Sequence, residues 1–527
     1  MKIRFVTLGC KLNFAESSAL GKQLLLRGHE RASLSEVPDV CVVNTCSVTD
    51  AADHKDRQTI NQLHRKYPSA IIIVTGCYAQ LQPQQIAQIE GVDYVLGQNE
   101  KYDIPALIEE IDSRLATPET TGEKIRVGAI REVDDFHGVY SADDRTRCFI
   151  KVQDGCNYFC TYCTIPYARG KSRNPKISEV VRDAQEALDR GAKELIITGV
   201  NIGDFGRSTG ETFLDLLRAL DSLHPTPSTT LPNTTPHSTT LPNTPPLSTT
   251  LPNTPPYSTT LPNTPPLSTT LPNTTPHSTT LPNTTPHYPI LHHTPPHSTT
   301  LPNTTQHYPI LHHTTPHSTT LPNTPPPYRI RISSCEPNLL TDEIIEFVAQ
   351  SRHFAPHFHI PLQSGSNQVL QIMKRRYTRE LFAERVQHIR RVMPHAFIGV
   401  DCMVGVRGET EECWNDYLAF VKELDVSQLH VFTYSERANT RMLDMDLYVV
   451  PKAERQRRSR LLHAVSEEKT RAFYAKHAGR RAVVLWESKR EGDQMSGFTD
   501  NYIKVYGPYD KSKINTFEEI TIPASNL

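Results

Sequence analysis

The chain of 527 residues is 37% hydrophobic and 21% charged with a formal net charge of −1, so its length allows about two to four domains and its overall charge marks no nucleic-acid binder. No run of about 18 apolar residues is present to cross a membrane, and the MKIRFVTLGC start is too short and too polar-flanked for a signal peptide. Eleven cysteines are too sparse for a disulfide scaffold and read as metal ligands or buried thiols in a reducing cytosol.

Residues 3–8 are apolar and rich in strand formers, and a helical pattern follows over 15–27. Strand candidates at 40–44 and 71–75 each run into a cysteine, and 92–96 is a fourth. Strands alternating with helices predict a parallel sheet. The alternation restarts near Cys148, with strand candidates at 149–152, 195–198, 329–333, 358–360, 398–403 and 429–433. Helical patterns such as 178–190 and 339–351 lie between most of them, and six such units in series suggest a full or partial barrel.

Residues 228–327 interrupt this series. They divide into ten decapeptides, most reading STTLPNTxPx and two, from Tyr288 and Tyr308, reading YPILHHTxPH. Of the 41 prolines, 27 fall between residues 225 and 327, and the block holds no Asp, Glu, Lys, Arg, Cys or Gly. A unit this rich in proline cannot hold a helix or a central strand. Its apolar content is too low to offset the entropy of ordering it. The expectation is a disordered, locally polyproline-II chain, tolerated at a helix-to-strand connection where a long insertion costs least. The pairs His292–His293 and His312–His313 leave a metal-binding tract or a partner-binding arm as the other reading.

The last 60 residues change character. Segments 482–487 and 501–505 read as strands, with Gly492, Gly497 and Gly507 at turns, which suggests a small β-barrel. Over residues 451–493, 12 Lys/Arg face 6 Asp/Glu, a local charge of 12 − 6 = +6. A charged helix over 454–477 explains part of this, and a phosphate-binding surface is the sharper reading.

The strongest local signal is CxxxCxxC at Cys156, Cys160 and Cys163, on a loop after a strand, where active sites of βα-barrels lie. Three thiolates on a four-iron cluster leave one iron open to a small chelating substrate. Zinc would need a fourth ligand, and no Cys or His follows within a dozen residues. A second trio, Cys10, Cys46 and Cys77, follows strand candidates one by one, so a parallel sheet would bring all three to one edge. Gly9 and Gly76 before two of them would permit close backbone approach. A metal site and three buried thiols both remain open readings of this trio. Cys41, Cys148, Cys335, Cys402 and Cys413 lie within strand or helix patterns and read as structural.

These strings carry a resemblance. Residues 156–163 look like the radical S-adenosylmethionine (SAM) signature, and KVQDGCNYFCTYCTIPYARGKSR (151–173) resembles the methylthiotransferase family. So do TLGCKLNFAES, VVNTCSVTDAADHK, VTGCYAQ, ITGVNIGDFG, RISSCEP, HIPLQSGS and the terminal GFTDNYIKV. The resemblance spans essentially the whole chain outside 225–327. Within the family, GCKLN, QDGCN and RISSCEP look most like the tRNA branch that modifies N6-threonylcarbamoyladenosine at position 37. An enzyme acting on isopentenyladenosine-37 or on a ribosomal protein is the alternative within the family, and a non-catalytic RNA-binding module the alternative outside it.

The resemblance implies an α/β protein of three domains. These are a methylthiotransferase N-terminal domain over 1–115, a radical SAM partial barrel over 140–450 interrupted by 225–327, and a TRAM-like RNA-binding β-barrel over 468–527. It implies two [4Fe-4S] clusters, with Cys156, Cys160 and Cys163 holding the SAM-binding one and Cys10, Cys46 and Cys77 the auxiliary one. The implied partners are SAM, the tRNA anticodon arm and an electron donor such as flavodoxin or ferredoxin, in the cytoplasm, with no membrane and no DNA. Adenine C2 is an unactivated aromatic carbon, which a cofactor-borne radical can substitute and a side-chain base cannot.

Other residues carry double readings. Gly199 either lets SAM approach the backbone or is an ordinary strand-end glycine. Arg169 and Arg173 meet SAM or RNA phosphate, or are solvated charges. Gln363 and Ser364 face the active site or shape a turn, and His359 reads as core. Against the family pattern, Val406 and Arg407 replace Phe-Pro in GFPGET, and Asn439 stands where Gly is usual.

Overall fold

The apolar segments of the first hundred residues form strands of one parallel sheet. The computed structural model describes residues 1–115, 123–141, 146–224 and 326–524, which belong to the unit Met1–Leu231 with Asn323–Leu527. The reading of the decapeptide block as disordered chain falls on 225–325, outside the described residues.

In chain order the N-terminal part runs β1 (Lys2–Thr7), α1 (Lys11–Leu26), β2 (Glu30–Arg31), β3 (Val40–Thr45), α2 (Asp50–Lys66), β4 (Ile71–Gly76), α3 (Cys77–Leu81), α4 (Pro83–Ala87), β5 (Tyr94–Leu96), α5 (Ile104–Leu115) and β6 (Ile125–Arg126). The sheet order is β2-β1-β3-β4-β5-β6, with every pair parallel. Central β3 is buried at all six positions, as a strand covered on both faces must be. Cys41 and Val43 pack with Ile60 and Leu63 of α2 on one face. Val40 and Val42 pack with Leu20 and Leu24 of α1 and Ile104 and Leu107 of α5 on the other. The two-residue strands β2 and β6 carry no period and were not legible in the sequence.

The second part runs β7 (Arg147–Lys151), α6 (Ile165–Arg169), α7 (Ile177–Asp189), β8 (Glu194–Thr198), α8 (Phe213–Asp221), β9 (Arg329–Ile332), α9 (Asp342–Gln350), β10 (His357–Gln363), α10 (Asn367–Ile372), α11 (Arg379–Val392), β11 (Phe397–Val404), α12 (Glu411–Glu423) and β12 (Gln428–Thr433). Sheets β7-β8-β9 and β10-β11-β12 are parallel and are joined by the bridges Ile330–Phe354 and Ser334–His359. This is the predicted six-stranded partial barrel. Alternate strand residues point to opposite faces. Ile150, Leu195, Ile197, Ile330, Ile332, Ile360, Ile398 and Val400 lie under the helices in the main core. The intervening row, including Lys151, Glu194, Arg331, His359 and Asp401, forms a charged inner face. Over it lies α1, whose Ala15 packs with Phe149 and Ile196.

The insertion point is well tied. The Tyr328 hydroxyl reaches the carbonyls of Leu220, Asp221 and Leu223, each at 3.1 Å, so the end of α8 meets the start of β9.

The last part is α13 (Lys452–His477) and strands β13 (Arg481–Glu491), β14 (Gln494–Thr499), β15 (Lys504–Pro508) and β16 (Phe517–Thr521). Leu462 and Val465 of α13 join the barrel core. The strands form an antiparallel half-barrel sheet of order β15-β14-β13-β16, rather than a closed barrel. Gly492 takes the predicted turn with φ 63°, but Gly497 and Gly507 lie inside strands. Both sit against Trp486, where an added Cβ would come within 3.0 and 2.8 Å of the indole. Residues 501–503 form a turn with Tyr502 at φ 67°, so the strand predicted over 501–505 begins only at Lys504. The sheet docks on the N-terminal ends of the barrel strands. Arg147 pairs with Glu487 at 2.8 Å, and Arg329 donates to the carbonyls of Val483 and Phe498. The opposite rim is left to the cysteine loop.

Candidate metal centres and active site

Cys10 is the N-cap of α1, Cys46 follows β3, and Cys77 opens α3 directly after β4. Strands β1, β3 and β4 are adjacent and parallel, so the three thiols meet at one C-terminal sheet edge. Gly9 and Gly76 have φ of 96° and 100°, conformations that favour glycine. A Cβ at Gly9 would lie 2.8 Å from Cys46 Sγ, and one at Gly76 would lie 2.4 Å from the Thr45 carbonyl. Burial, then neighbouring Cys77 and Cys10, pushes the Cys46 thiol up to about 12. Thiols crowded this way become thiolates only against a strong local cation, and a bound metal supplies one. Gln98 donates to Cys77 Sγ at 3.1 Å.

The second trio lies between β7 and α6. Its loop is closed by the antiparallel bridge of Asp154 with Arg173 and by Cys156 N donating to Gly170 O at 3.1 Å. Gly155, at φ 68°, lies so close to the Lys171 carbonyl that a Cβ would come within 1.9 Å of it. Burial pushes the Cys156 thiol up to about 11, and burial with Cys160 beside it raises Cys163. Arg375 donates to Cys160 Sγ at 3.3 Å and pairs with Glu336. The two trios are neighbours. Thr164, after Cys163, donates to the carbonyl of Ser47, after Cys46, at 3.4 Å.

Between them lies a buried ion cluster that corrects the reading of Arg169 and Arg173. Both are buried within protein, neither solvated nor open to phosphate. Arg169 donates to Glu16 and Asp154, each at 3.0 Å, and to Asn13 at 2.6 Å. Arg173 reaches Asp154 at 3.3 Å. Glu16 also pairs with Lys101 at 2.5 Å and Lys151 at 3.3 Å. Burial opposes the charge on Arg169, but Glu16 and Asp154 hold it firmly protonated. Four cations (Lys101, Lys151, Arg169, Arg173) against two carboxylates give 4 − 2 = +2. A buried positive surplus beside six thiols suits anionic thiolate clusters, so the donor set and its electrostatics fit iron–sulfur centres.

The space beside Gly199 is taken by protein. A Cβ there would meet Ile202 at 2.8 Å and the Gln153 carbonyl at 3.0 Å, and Gln153 Oε1 accepts from Val200 N and Asn201 N. Ser364 is fully buried and accepts from Ser366 N, shaping the turn. Gln363 takes φ 63°, and its Oε1 is buried without a partner. Cys41, Cys148, Cys335, Cys402 and Cys413 are all buried, as expected of structural thiols. The departures from the family pattern are accommodated. Val406 is buried in a small core with Tyr434 and Met442, Arg407 pairs with Glu436 at 3.0 Å, and Asn439 takes φ 64°.

His359 is not an apolar-core residue. Its Nε2 lies 2.7 Å from Asp401 Oδ1 and 3.2 Å from His430 Nδ1. Burial opposes it, but the two imidazoles hold the Asp401 carboxyl well below the usual range. Lys11 also faces this lumen. Burial, then Arg147 and Arg331, pushes its ammonium down to about 8, with Asp401 and Glu194 acting the other way. Sequence reasoning missed Lys11, Glu336, Arg375, Asp401 and His430. Lys11 and Glu336 carried a signal through their place in GCKLN and RISSCEP, whereas Arg375 and His430 lie in no such string.

Residues 2–97 match the uncharacterized protein family UPF0004, and residues 150–232 and 306–421 match the radical SAM superfamily. The threonylcarbamoyladenosine tRNA methylthiotransferase MtaB of Bacillus subtilis (strain 168) is 30% identical over 95% of this chain and 89% of its own length. That of Aquifex aeolicus (strain VF5) is 29% identical over 96% of each chain. The tRNA-2-methylthio-N6-dimethylallyladenosine synthase of Parabacteroides distasonis is 24% identical over 99% of this chain and 94% of its own. This chain belongs to the threonylcarbamoyladenosine tRNA methylthiotransferase family of radical SAM enzymes.

Proposed function

We propose that the protein converts N6-threonylcarbamoyladenosine at position 37 of tRNA to 2-methylthio-N6-threonylcarbamoyladenosine. The observation that carries this reading is near-full-length identity to that branch, higher than to the dimethylallyladenosine synthases, with both cysteine trios present. The cofactors are two [4Fe-4S] clusters and SAM. Cys156, Cys160 and Cys163 would hold the SAM-binding cluster and Cys10, Cys46 and Cys77 the auxiliary one. When bound, these groups supply the radical that activates adenine C2 and the methylated sulfur that replaces its hydrogen.

The chain's own part is positioning. Arg169 ties the cysteine loop of the barrel to α1, and Arg437 ties the segment after Cys46 to the barrel through Asp53 at 2.8 Å. The base must leave its stack to reach this edge, while phosphates are held elsewhere. The proposed functional divisions are 1–115, 140–450 and 468–527, the last boundary falling within α13 (Lys452–His477). The remaining partners are an electron donor such as flavodoxin or ferredoxin, and the setting is the cytoplasm. Among the described residues no helix is long and apolar enough to cross a membrane. The test is mass spectrometry of digested tRNA from cells with and without the gene. Loss of 2-methylthio-N6-threonylcarbamoyladenosine supports the reading, and loss of 2-methylthio-isopentenyladenosine alone refutes it.

A further inference from the structure

The inner face of this barrel departs from the usual packing of branched aliphatic side chains. Its middle carries Arg331, His359, Asp401 and His430, facing Lys11 from α1. Most of these charges are matched. Arg329 and Arg331 share Glu194, at 2.5 and 3.1 Å, Arg147 has Glu487 at 2.8 Å, and Asp401 lies between two imidazoles. Lys11 has no hydrogen bond or ion pair among the described residues, although Arg147, Arg331, Asp401 and Glu194 all act on it. Arg147, Arg329 and Arg331 are met by Glu487, Glu194 and Asp500, which leaves Asp401, already held by two imidazoles, as the first carboxylate acting on Lys11. An ammonium in this lumen with no direct partner keeps its donors available for an anionic group of a ligand.

We infer that this lumen binds the N6 substituent of the target base, with Lys11 pairing its carboxylate and the His359–Asp401–His430 group hydrogen-bonding its hydroxyl. The inference rests on the threonylcarbamoyladenosine reading, because that substituent bears one carboxylate and one hydroxyl. N6 is attached two ring atoms from C2, so a base presenting C2 to the auxiliary trio carries its substituent close to the residue that follows Cys10. The wall is reachable. The His430, His359 and Asp401 side chains are 38%, 18% and 16% exposed.

The test uses the reconstituted full-length enzyme and anticodon stem-loops carrying the threonylcarbamoyl base, its methyl ester or the isopentenyl base. Wild type should favour acid over ester about tenfold or more in kcat/KM. Lys11→Met should lose about tenfold on the acid and little on the ester, with KM carrying most of the change, while Lys11→Arg restores much of the preference. Iron content measured alongside separates a binding defect from a lost cluster. Equal wild-type rates on acid and ester overturn the inference without any variant. So does Lys11→Met with full iron and an undiminished preference, and in both cases the substrate reading stands. A wild type that modifies only the isopentenyl base overturns both.

Discussion

Arg169 carries three hydrogen-bond partners on two structural layers, and none lies within ten residues in sequence: Asp154 is 15 positions away, Glu16 153 and Asn13 156. That separation is why the sequence offered only a solvated charge or a phosphate ligand for it. The cysteines were legible because each follows a strand or sits in a short motif, so spacing alone brings them together. Arg169→Leu should leave Glu16 and Asp154 short of a cation in a buried site, at a cost of about 3–5 kcal/mol. Chemical denaturation of the anaerobic protein, with midpoint and slope both recorded, measures it. A loss under 1 kcal/mol would mean that Lys101 and Lys151 suffice. The trios themselves predict metal content. Reconstituted protein should hold about eight irons in two four-iron clusters. Cys156→Ala/Cys160→Ala/Cys163→Ala should halve the iron and abolish SAM cleavage. Cys10→Ala/Cys46→Ala/Cys77→Ala should also halve it but leave uncoupled SAM cleavage measurable. Zinc at either site would refute the iron–sulfur assignment of that trio.

At the scale of elements, long buried strands were readable and short or twisted ones were not. All six barrel strands were found because each has an apolar outer face and a following helix. β14 and β16 escaped because Gly497 read as a turn and because Phe517–Thr521 alternates around two glutamates, Glu518 and Glu519. The Trp486 ring explains Gly507, while at Gly497 Val484 and the Leu485 carbonyl, with Trp486 behind them, fill the space a side chain would need. The α8–β9 connection makes a prediction about the decapeptide block. Tyr328 holds three carbonyls at the end of α8 and stacks on His353 at 4.2 Å, so the junction does not depend on what is inserted. A variant joining His224 to Tyr328 by a short Gly-Ser loop should keep its melting temperature within a few degrees and retain its iron. Collapse of the shortened chain would show that the block contributes to folding.

At the scale of the whole molecule, the C-terminal sheet covers one rim of the barrel and the cysteines occupy the other, so RNA-binding charge must reach around the barrel from α13. The sequence surplus of +6 overstates that charge. Arg455, Arg457 and Arg458 are occupied by Glu436, Glu454, Glu409 and Glu411. Arg481, Lys489 and Arg490 pair with Glu519, Glu491 and Asp493. Lys469 donates to the carbonyls of Lys422 and Leu424. Lys452, Arg460, Arg471, Lys476 and Arg480 remain exposed for phosphate. Removing the sheet outright is a poor test, because Arg329 and Arg331 donate to its backbone at Val483, Phe498, Thr499 and Asp500. Charge reversal on the surface avoids this. Arg471→Glu/Lys476→Glu/Arg480→Glu should raise the tRNA Kd about tenfold or more, and the slope of log affinity against log salt should become shallower by about 2 to 3. That slope follows from three lost contacts at roughly 0.7 to 0.9 each. Iron content should not change. Filter binding across a salt series measures both quantities. An unchanged slope with weaker binding would mean that the triple variant disturbs the sheet rather than the phosphate contacts, and an unchanged Kd would mean that tRNA is held by another face.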